Sequence, residues 1–182
     1  MSVVHIVPIC LPSQASLIDH VSAQVGRAFA ATVSVHSHRF DPELAFDSSR
    51  GQYNSTELLA QLLEETAESE VNVLGIAGVD LFIPILTYVF GEAQLAGRAA
   101  VISTYRLDNS LYGLPANQRL LFDRLAKEAI HELGHTRGLI HCNQAVCVMR
   151  SSTYVEEIDL KSAQFCASCG QRVRAPTATP QR

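Results

Sequence analysis

The sequence predicts an α/β fold of the α+β kind, in which helices pack on a twisted, mixed β-sheet. Three observations support this prediction. Apolar segments of strand length alternate with segments of helical periodicity in the order β, α, β, α, β. Two further strand-like segments follow, and from Asn117 onward the pattern becomes helical. Finally, 47% of the 182 residues are hydrophobic and 18% are charged, which is typical of a chain with a buried core.

The individual elements follow from the spacing of apolar residues. Residues 13–30 carry apolar side chains at helical intervals and predict a first helix. A second helix begins near Asn54 or Ser55, either of which can cap it. The polar segment 41–50 contains Pro42 and predicts a loop. The predicted strands are residues 3–9, 32–38, 71–77, 86–90 and 99–105.

Composition argues against several classes of function. The net charge is −4 and no basic run is present, so a nucleic-acid-binding face is not indicated. No apolar stretch reaches the roughly 18 residues that span a membrane. Residues 1–11 are short and contain Pro8, which favours a first strand over a signal peptide. We therefore expect a monomeric cytoplasmic protein whose thiols stay reduced.

The third predicted helix carries the most informative motif. Residues 131–141 read His-Glu-Leu-Gly-His-Thr-Arg-Gly-Leu-Ile-His. His131 and His135 are four residues apart, about 400° of helical rotation, so both imidazoles can reach one metal ion. Leu133 points to the opposite side, towards the core. A solvated helix face with two incidental histidines is the alternative interpretation, and the extended motif makes it much the weaker one.

The remaining motif residues complete a site of catalytic type. Gly138 permits a left-handed turn that ends the helix, so His141 can supply a third ligand from another direction. Three histidines leave a fourth position open, as in catalytic zinc sites. Glu132 lies beside the metal without binding it. Its carboxylate can act as a general base on a zinc-activated water.

Four of the five cysteines crowd into the C-terminal quarter of the chain. Cys142 and Cys147 form one close pair, and Cys166 and Cys169 form another. Two close pairs separated by a longer insert predict a closed, structural zinc site with four thiolate ligands. A redox dithiol at Cys166 and Cys169 is the alternative. The sequence thus predicts two Zn²⁺ ions per chain, one catalytic and one structural.

These residues resemble one known family. The motif from His131 to His141, followed by Cys142, Cys147, Val148, Met149 and the last cysteine pair, is similar to the archaemetzincins. Less specific blocks extend the resemblance upstream: Arg50-Gly51-Gln52-Tyr53-Asn54, Asp80-Leu81-Phe82 and Val89-Phe90-Gly91-Glu92-Ala93.

The resemblance implies a metzincin-like fold and a zinc metallopeptidase. An N-terminal subdomain, 1–138, would hold the sheet, a backing helix and the active-site helix. A small C-terminal subdomain, 139–170, would hold the cysteine site and the Met-turn, in which Met149 forms a floor beneath the catalytic zinc. Residues 171–182 are expected to be a loose tail.

The resemblance also suggests a role for two features near the zinc. Residues 86–90 would be an edge strand that pairs with extended substrate, although an ordinary internal strand is almost as good an interpretation. Tyr154 follows the Met-turn, and its phenol could stabilise an oxyanion or could equally be a surface group. Aminopeptidase activity is implied for relatives.

Three functional hypotheses remain open. The first is hydrolysis of a peptide or protein substrate with Glu132 as base. The second is a catalytically weak or inactive, zinc-stabilised peptide-binding module, which has no need of that carboxylate. The third is a metal-dependent fold that acts through partner proteins. Outside the motif, His36 and His38 predict a polar strand face, and Cys10, on the first strand, predicts a small buried hydrophobic residue.

Overall fold

A five-stranded β-sheet organises the fold in a computed structural model that describes residues 2–12, 14–66 and 71–174. Its strands are β1 (Ser2–Ile9), β2 (Ala31–Val35), β5 (Asn72–Ala77), β7 (Gly91–Ala93) and β8 (Ala99–Ser103). Their order is β2-β1-β5-β8-β7, and only β7 runs antiparallel to its neighbour. Parallel strands need helical crossovers, which explains the alternating sequence pattern.

Helices cover both faces of this sheet. Because side chains alternate along a strand, Leu74 faces one layer and its neighbour Val73 faces the other. The helices are α1 (Ala15–Phe29), α2 (Ser55–Glu65) and α3 (Gln118–Thr136). Leu74 packs with α1 and α3, whereas Val73 packs with α2. Asn54 caps α2 by accepting the Thr56 amide, which is one of the two predicted alternatives.

The segment expected to be a plain loop, 41–50, contains regular structure. A 3-10 helix spans Pro42–Ala45, and Asp41 caps it by accepting the Glu43 amide. It leads into β3 (Phe46–Asp47), which forms a second, three-stranded sheet with β4 (Gln52–Asn54) and β6 (Leu81–Phe82). Strands this short give almost no periodic pattern, so the sequence prediction was wrong here.

Residues 86–90 do not form the predicted strand. Their backbone pairing is limited to a bridge between Val89 and Leu81 and a bond from Ser103 N to Phe90 O. The carbonyls of Leu86 and Thr87 accept hydrogen bonds from Arg50, and Thr87 also accepts one from Gln52. These side-chain bonds replace a strand ladder. The edge strand on this side of the large sheet is instead β7, immediately downstream.

A third core cluster lies under the C-terminal end of α3. Its buried members are Ile130, Leu139, Cys147, Val148, Met149 and Cys169. Two short helices follow, α4 (Val155–Leu160) and α5 (Ala167–Arg174). Helix α5 includes residues 171–174, so the expected loose tail does not begin at 171, and residues 175–182 lie outside the described ranges.

Three smaller expectations also need correction or limits. Cys10 follows β1 in an exposed position with φ +47°, so it is not a buried core residue. His36 and His38 both lie beyond the end of β2, so they do not form the expected strand face. The predicted start of the first helix, residue 13, falls outside the described residues. Within the described ranges, no helix combines the length and apolarity needed to cross a membrane.

Candidate metal and active site

Helix α3 presents the first two histidines of the motif on one face. Leu125, Ala129 and Leu133 recur every four residues and pack into the main core, as that spacing predicts. Their packing fixes the orientation of the helix about its own axis. His131 and His135 therefore face away from that core on successive turns. Their Nε2 atoms lie 3.1 Å apart.

Backbone carbonyls orient both imidazoles. His131 Nδ1 lies 2.8 Å from Val148 O, and His135 Nδ1 lies 2.7 Å from Leu139 O. A carbonyl can only accept, so each Nδ1 carries the proton and each Nε2 keeps a free lone pair. Metal-binding histidines commonly donate the N–H that does not face the metal to a carbonyl in this way.

His141 reaches the same point from the chain beyond the helix. Gly138 has φ +77° and donates its amide to His135 O, which ends the helix as the sequence predicts. The His141 ring lies 5.3 Å from that of His131 and 5.0 Å from that of His135, centre to centre. One nitrogen from each of the three rings falls within 4.8 Å of the others.

The donor set suits zinc. Burial lowers the pKa of His131 well below its ordinary value and also lowers the pKa of His135 and His141. Neutral imidazole is the form that binds metal, so no proton competes strongly for these nitrogens near pH 7. Three convergent nitrogens with a cavity on the open side fit a zinc site with a free position.

Met149 lies directly against α3. Its side chain is fully buried, and a Cβ built on Gly134 would overlap Met149 Sδ. Gly134 is therefore the residue that admits the methionine between the turns that carry His131 and His135. Met149 was expected from the sequence, whereas the matching role of Gly134 was not.

Glu132 is nearly fully buried beside the histidines. A Cβ on Gly91 would lie 2.8 Å from Glu132 Cγ, so the glycine of β7 makes room for this side chain. Burial, and next the nearby Glu128, raise the pKa of the Glu132 carboxyl well above its ordinary value. A carboxyl with raised proton affinity can both accept and return a proton near neutral pH.

The four C-terminal cysteines form a second cluster. All four thiols are free, and their sulfur atoms lie within 4.8 Å of one another. Cys142 Sγ and Cys166 Sγ are 3.9 Å apart, and the amide of Cys166 points to Cys147 Sγ at 3.4 Å. Hydrogen bonds, the strongest from the Cys169 amide, lower the pKa of Cys166 to about 7. Burial raises the pKa of Cys147 and of Cys169. Four sulfurs clustered at one point match a tetrahedral zinc site better than an isolated dithiol does.

A cavity of about 410 Å³ adjoins the histidine cluster. Its lining includes His131, Glu132 and His141, and Tyr154 lies on its rim with a largely exposed side chain. A volume of this size is within the range of ligand pockets. The rings of His131 and His141 and the buried carboxyl of Glu132 therefore border a space that a peptide segment can enter.

Comparison with known proteins agrees with this geometry. The sequence model of Peptidase family M54 matches residues 34–175. The archaemetzincin of Methanocaldococcus jannaschii is 45% identical over 133 residues, which are 73% of this chain and 72% of that protein. The chain belongs to peptidase family M54, the archaemetzincins. The sequence-based expectation of this family, and of the class of zinc metallopeptidases, is confirmed.

Solved structures support the same assignment. The crystal structure of archaemetzincin from Methanopyrus kandleri superposes with a TM-score of 0.81 at 33% identity, covering 95% of this chain and 93% of that one. A zinc-dependent peptidase from Methanocorpusculum labreanum superposes with a TM-score of 0.84 at 27% identity, covering 94% of this chain and all of that one. The metzincin-like fold expected from the motif is thereby confirmed for this archaemetzincin.

A buried ion pair beside the site, between Lys161 and Glu128, was not predicted from the sequence. Lys161 Nζ lies 3.1 Å from Glu128 Oε1 and donates to Arg150 O at 3.0 Å. Both side chains are almost completely buried. Glu128 lies one helical turn before Glu132, a position that could have drawn attention to it. Nothing in the sequence connects it to Lys161, which is 33 residues away.

Replacing Gly134 by alanine should disturb the floor of the histidine site. The added methyl group overlaps Met149 Sδ, and because that side chain is fully buried we expect the free energy of unfolding to fall by about 1–3 kcal/mol. Gly26→Ala in α1 is the matched control, because its nearest neighbour would be 3.4 Å away. Urea unfolding of both variants tests this, and equal stability of the two would contradict the proposed contact.

Proposed function

We propose that this archaemetzincin hydrolyses peptide bonds with a zinc ion held by His131, His135 and His141. The observation that carries the proposal is the placement of a buried carboxyl, Glu132, in the lining of the same cavity as His131 and His141, two of the three histidines whose nitrogens converge. A site that only stabilised the fold would need no such carboxyl and no adjoining cavity.

Zinc in this position would polarise a peptide carbonyl and make water a stronger acid. Glu132 takes the proton from the attacking water and returns it to the leaving amine. Its raised pKa suits both steps, because a stronger base removes the proton more readily and a neutral carboxyl then donates it. The main-chain bonds to Val148 and Leu139 hold His131 and His135 in place while this proton moves.

Strand β7 is the proposed docking edge for the substrate backbone. The neighbours Phe90 and Gln94 bond to β8, through Ser103 N to Phe90 O and Gln94 N to Ala99 O. In an antiparallel ladder, the alternate residues Gly91 and Ala93 direct their amides and carbonyls to the other side. That side is the free edge of the sheet, where an extended peptide can add as a strand.

Aminopeptidase action is the form of exopeptidase activity that we propose. Its support is the family resemblance, which implies this activity for relatives. The charge of the cavity lining does not decide it, because Glu128 is paired with the buried Lys161.

A second zinc ion is proposed at the four cysteines, with a structural role. Cys142 follows His141 directly, and its amide donates to Met149 O at 2.9 Å. The cysteine cluster thus fixes the backbone on both sides of the third histidine and the Met-turn. Two ions per chain follow from these two separate donor sets.

Glu132→Gln tests the catalytic proposal directly. The variant should still bind two zinc ions, because Glu132 is not a ligand, and its hydrolysis of a mixed peptide library should fall by about 10²–10⁴-fold. Glu57→Gln, an exposed change in α2, is the control and should match the native protein. Zinc content and product formation are measured on the same samples.

The outcome also decides against or for a peptide-binding module. Suppose that the native protein binds two zinc ions and binds peptides. If it then cleaves the library no more than Glu132→Gln does, the catalytic role is wrong. A stoichiometry of one zinc would instead overturn one of the two metal assignments.

Loss of one cysteine should weaken metal binding at the histidines. In Cys166→Ser the second zinc is lost and the chain around Cys142 is released, so the affinity of the His131 site should fall by about 10–100-fold. Cys10→Ser is the control, since Cys10 is exposed and outside the cluster. Competition with a chelator measures both, and equal affinities would refute the proposed support.

Tyr154→Phe tests whether its phenol acts on the reaction. As an oxyanion donor, Tyr154 would support turnover, so its loss should lower kcat by about a hundredfold at unchanged zinc content. Steady-state kinetics with a cleaved library peptide provide the measurement. An unchanged kcat would make Tyr154 an ordinary rim residue.

A further inference from the structure

Two opposing walls bound the cavity next to the histidines. Residues 86–91 form the upper wall, which continues into strand β7. Residues 151–154, between the Met-turn and α4, form the lower wall. An extended peptide lying along β7 would occupy the space between them.

One hydrogen bond joins these walls. Tyr88 of the upper wall donates its phenol to the carbonyl of Thr153 in the lower wall at 2.8 Å. Both residues line the cavity, so this bond connects its two walls. Burial raises the pKa of the Tyr88 phenol, which keeps the proton on the oxygen across the physiological range.

The tyrosine is held in this position from the side. The Arg106 guanidinium lies 4.2 Å from the centre of the Tyr88 ring, and the Phe90 ring meets it edge-on at 5.5 Å. Arg106 is itself fixed by two hydrogen bonds to Asp80, of 2.7 and 2.6 Å. A ring clamped by a cation and a second ring loses little further entropy when it makes the bridge.

The upper wall is also held by its main chain. Arg50 donates to Leu86 O at 2.7 Å, and Gln52 donates to Thr87 O at 3.0 Å. Gln52 donates in addition to Asp80, which anchors Arg106. The two residues before Tyr88 are thus tied to the same network as the tyrosine ring.

The lower wall is fixed in a similar way. The Glu157 carboxylate accepts the amides of Thr153 at 2.5 Å and of Tyr154 at 3.2 Å. These bonds lower the pKa of Glu157 and attach the wall to the start of α4. Donor and acceptor of the bridge are therefore both placed by bonds that do not depend on a substrate.

We propose that the Tyr88–Thr153 bridge is a specificity determinant that limits hydrolysis to peptides whose chain ends within the cavity. The proposal rests on the peptidase function above. A continuous chain passing between the walls would have to break the bridge, whereas a short peptide or a chain terminus fits on one side of it. The favoured substrates are accordingly oligopeptides rather than internal segments of long chains.

The test compares cleavage of one sequence in two contexts. The first substrate is an oligopeptide with free ends. The second carries the same sequence in the middle of a longer, unstructured peptide with an acetylated amino end and an amidated carboxyl end. The Tyr88→Phe variant removes the bridge and keeps the ring beneath Arg106, and Tyr88→Ala removes both. Tyr53→Phe is the matched control. Tyr53 lies in β4, outside the cavity lining, and the change removes its phenol hydrogen bond to Glu43.

The native protein should cleave the free oligopeptide in preference to the long blocked one. In Tyr88→Phe the ratio of kcat/KM for the long substrate to that for the short one should rise about fivefold, the equivalent of one neutral hydrogen bond, and in Tyr88→Ala it should rise further. Tyr53→Phe should keep the native ratio. An unchanged ratio in both Tyr88 variants, or a native protein that cleaves both substrates equally, would overturn the inference.

A binding measurement separates this inference from the catalytic proposal. In a Glu132→Gln background, fluorescence anisotropy of the labelled long peptide should show tighter binding when Tyr88→Phe is added, again by about fivefold. This result supports the bridge even if no cleavage is found in any variant. Unchanged binding would count against the bridge even if the native protein proves to be an active peptidase.

Discussion

The two hydrogen bonds from the active-site helix to the chain beyond it are the constraint on which the site depends. His131 and His135 each donate Nδ1–H to a carbonyl of the C-terminal segment, at Val148 and at Leu139. These bonds set both ring orientations and bring the Met-turn under the helix. The Met149 side chain then fills the space that Gly134 leaves, and the turn at Gly138 returns His141 to the same point. Without these contacts between α3 and the segment that follows it, the helix would present two histidines and nothing would bring the third to them.

Charged groups are buried between α3 and the C-terminal segment. Their burial is tolerated because they are paired. Lys161 and Glu128 would each be costly to bury alone, since removal of one partner of such a pair commonly destabilises a protein by about 3–5 kcal/mol. The additional bond from Lys161 to Arg150 O ties α3, the Met-turn and the chain after α4 together. Arg124 repeats the arrangement two turns away from the histidines, with two bonds to Asp159 of α4. The active-site helix therefore contacts the C-terminal segment through specific polar bonds as well as through apolar packing.

How much the sequence could predict depended on the range of each interaction. Periodicity predicted α3 and its core face, because Leu125, Ala129 and Leu133 repeat within one helix. Fixed local spacing likewise brought together the three histidines and the four cysteines. Contacts between distant segments left no such pattern: Tyr88 and Thr153 are 65 residues apart.

The errors have different origins. Residues 86–90 are apolar enough to resemble a strand, and they fail to form one because their carbonyls bond to the side chains of Arg50, in the turn before β4, and Gln52, in β4. Cys10 looked like a core residue because it follows a buried strand, yet β1 ends one residue earlier. The first case depends on partners elsewhere in the chain, whereas the second depends on where a strand ends.

The shortness of β7 limits what main-chain pairing can contribute to substrate binding. Only Gly91 and Ala93 offer outward-facing backbone groups in a strand of three residues, so an added peptide gains few ladder bonds. Neutral hydrogen bonds contribute about 0.5–1.5 kcal/mol each, which is too little to hold a long, flexible chain against its loss of conformational entropy. A short peptide loses less entropy, and contacts of its end with the cavity walls make up a larger share of its binding free energy. A short edge strand and a bridged cavity thus favour the same substrates, by different physical routes.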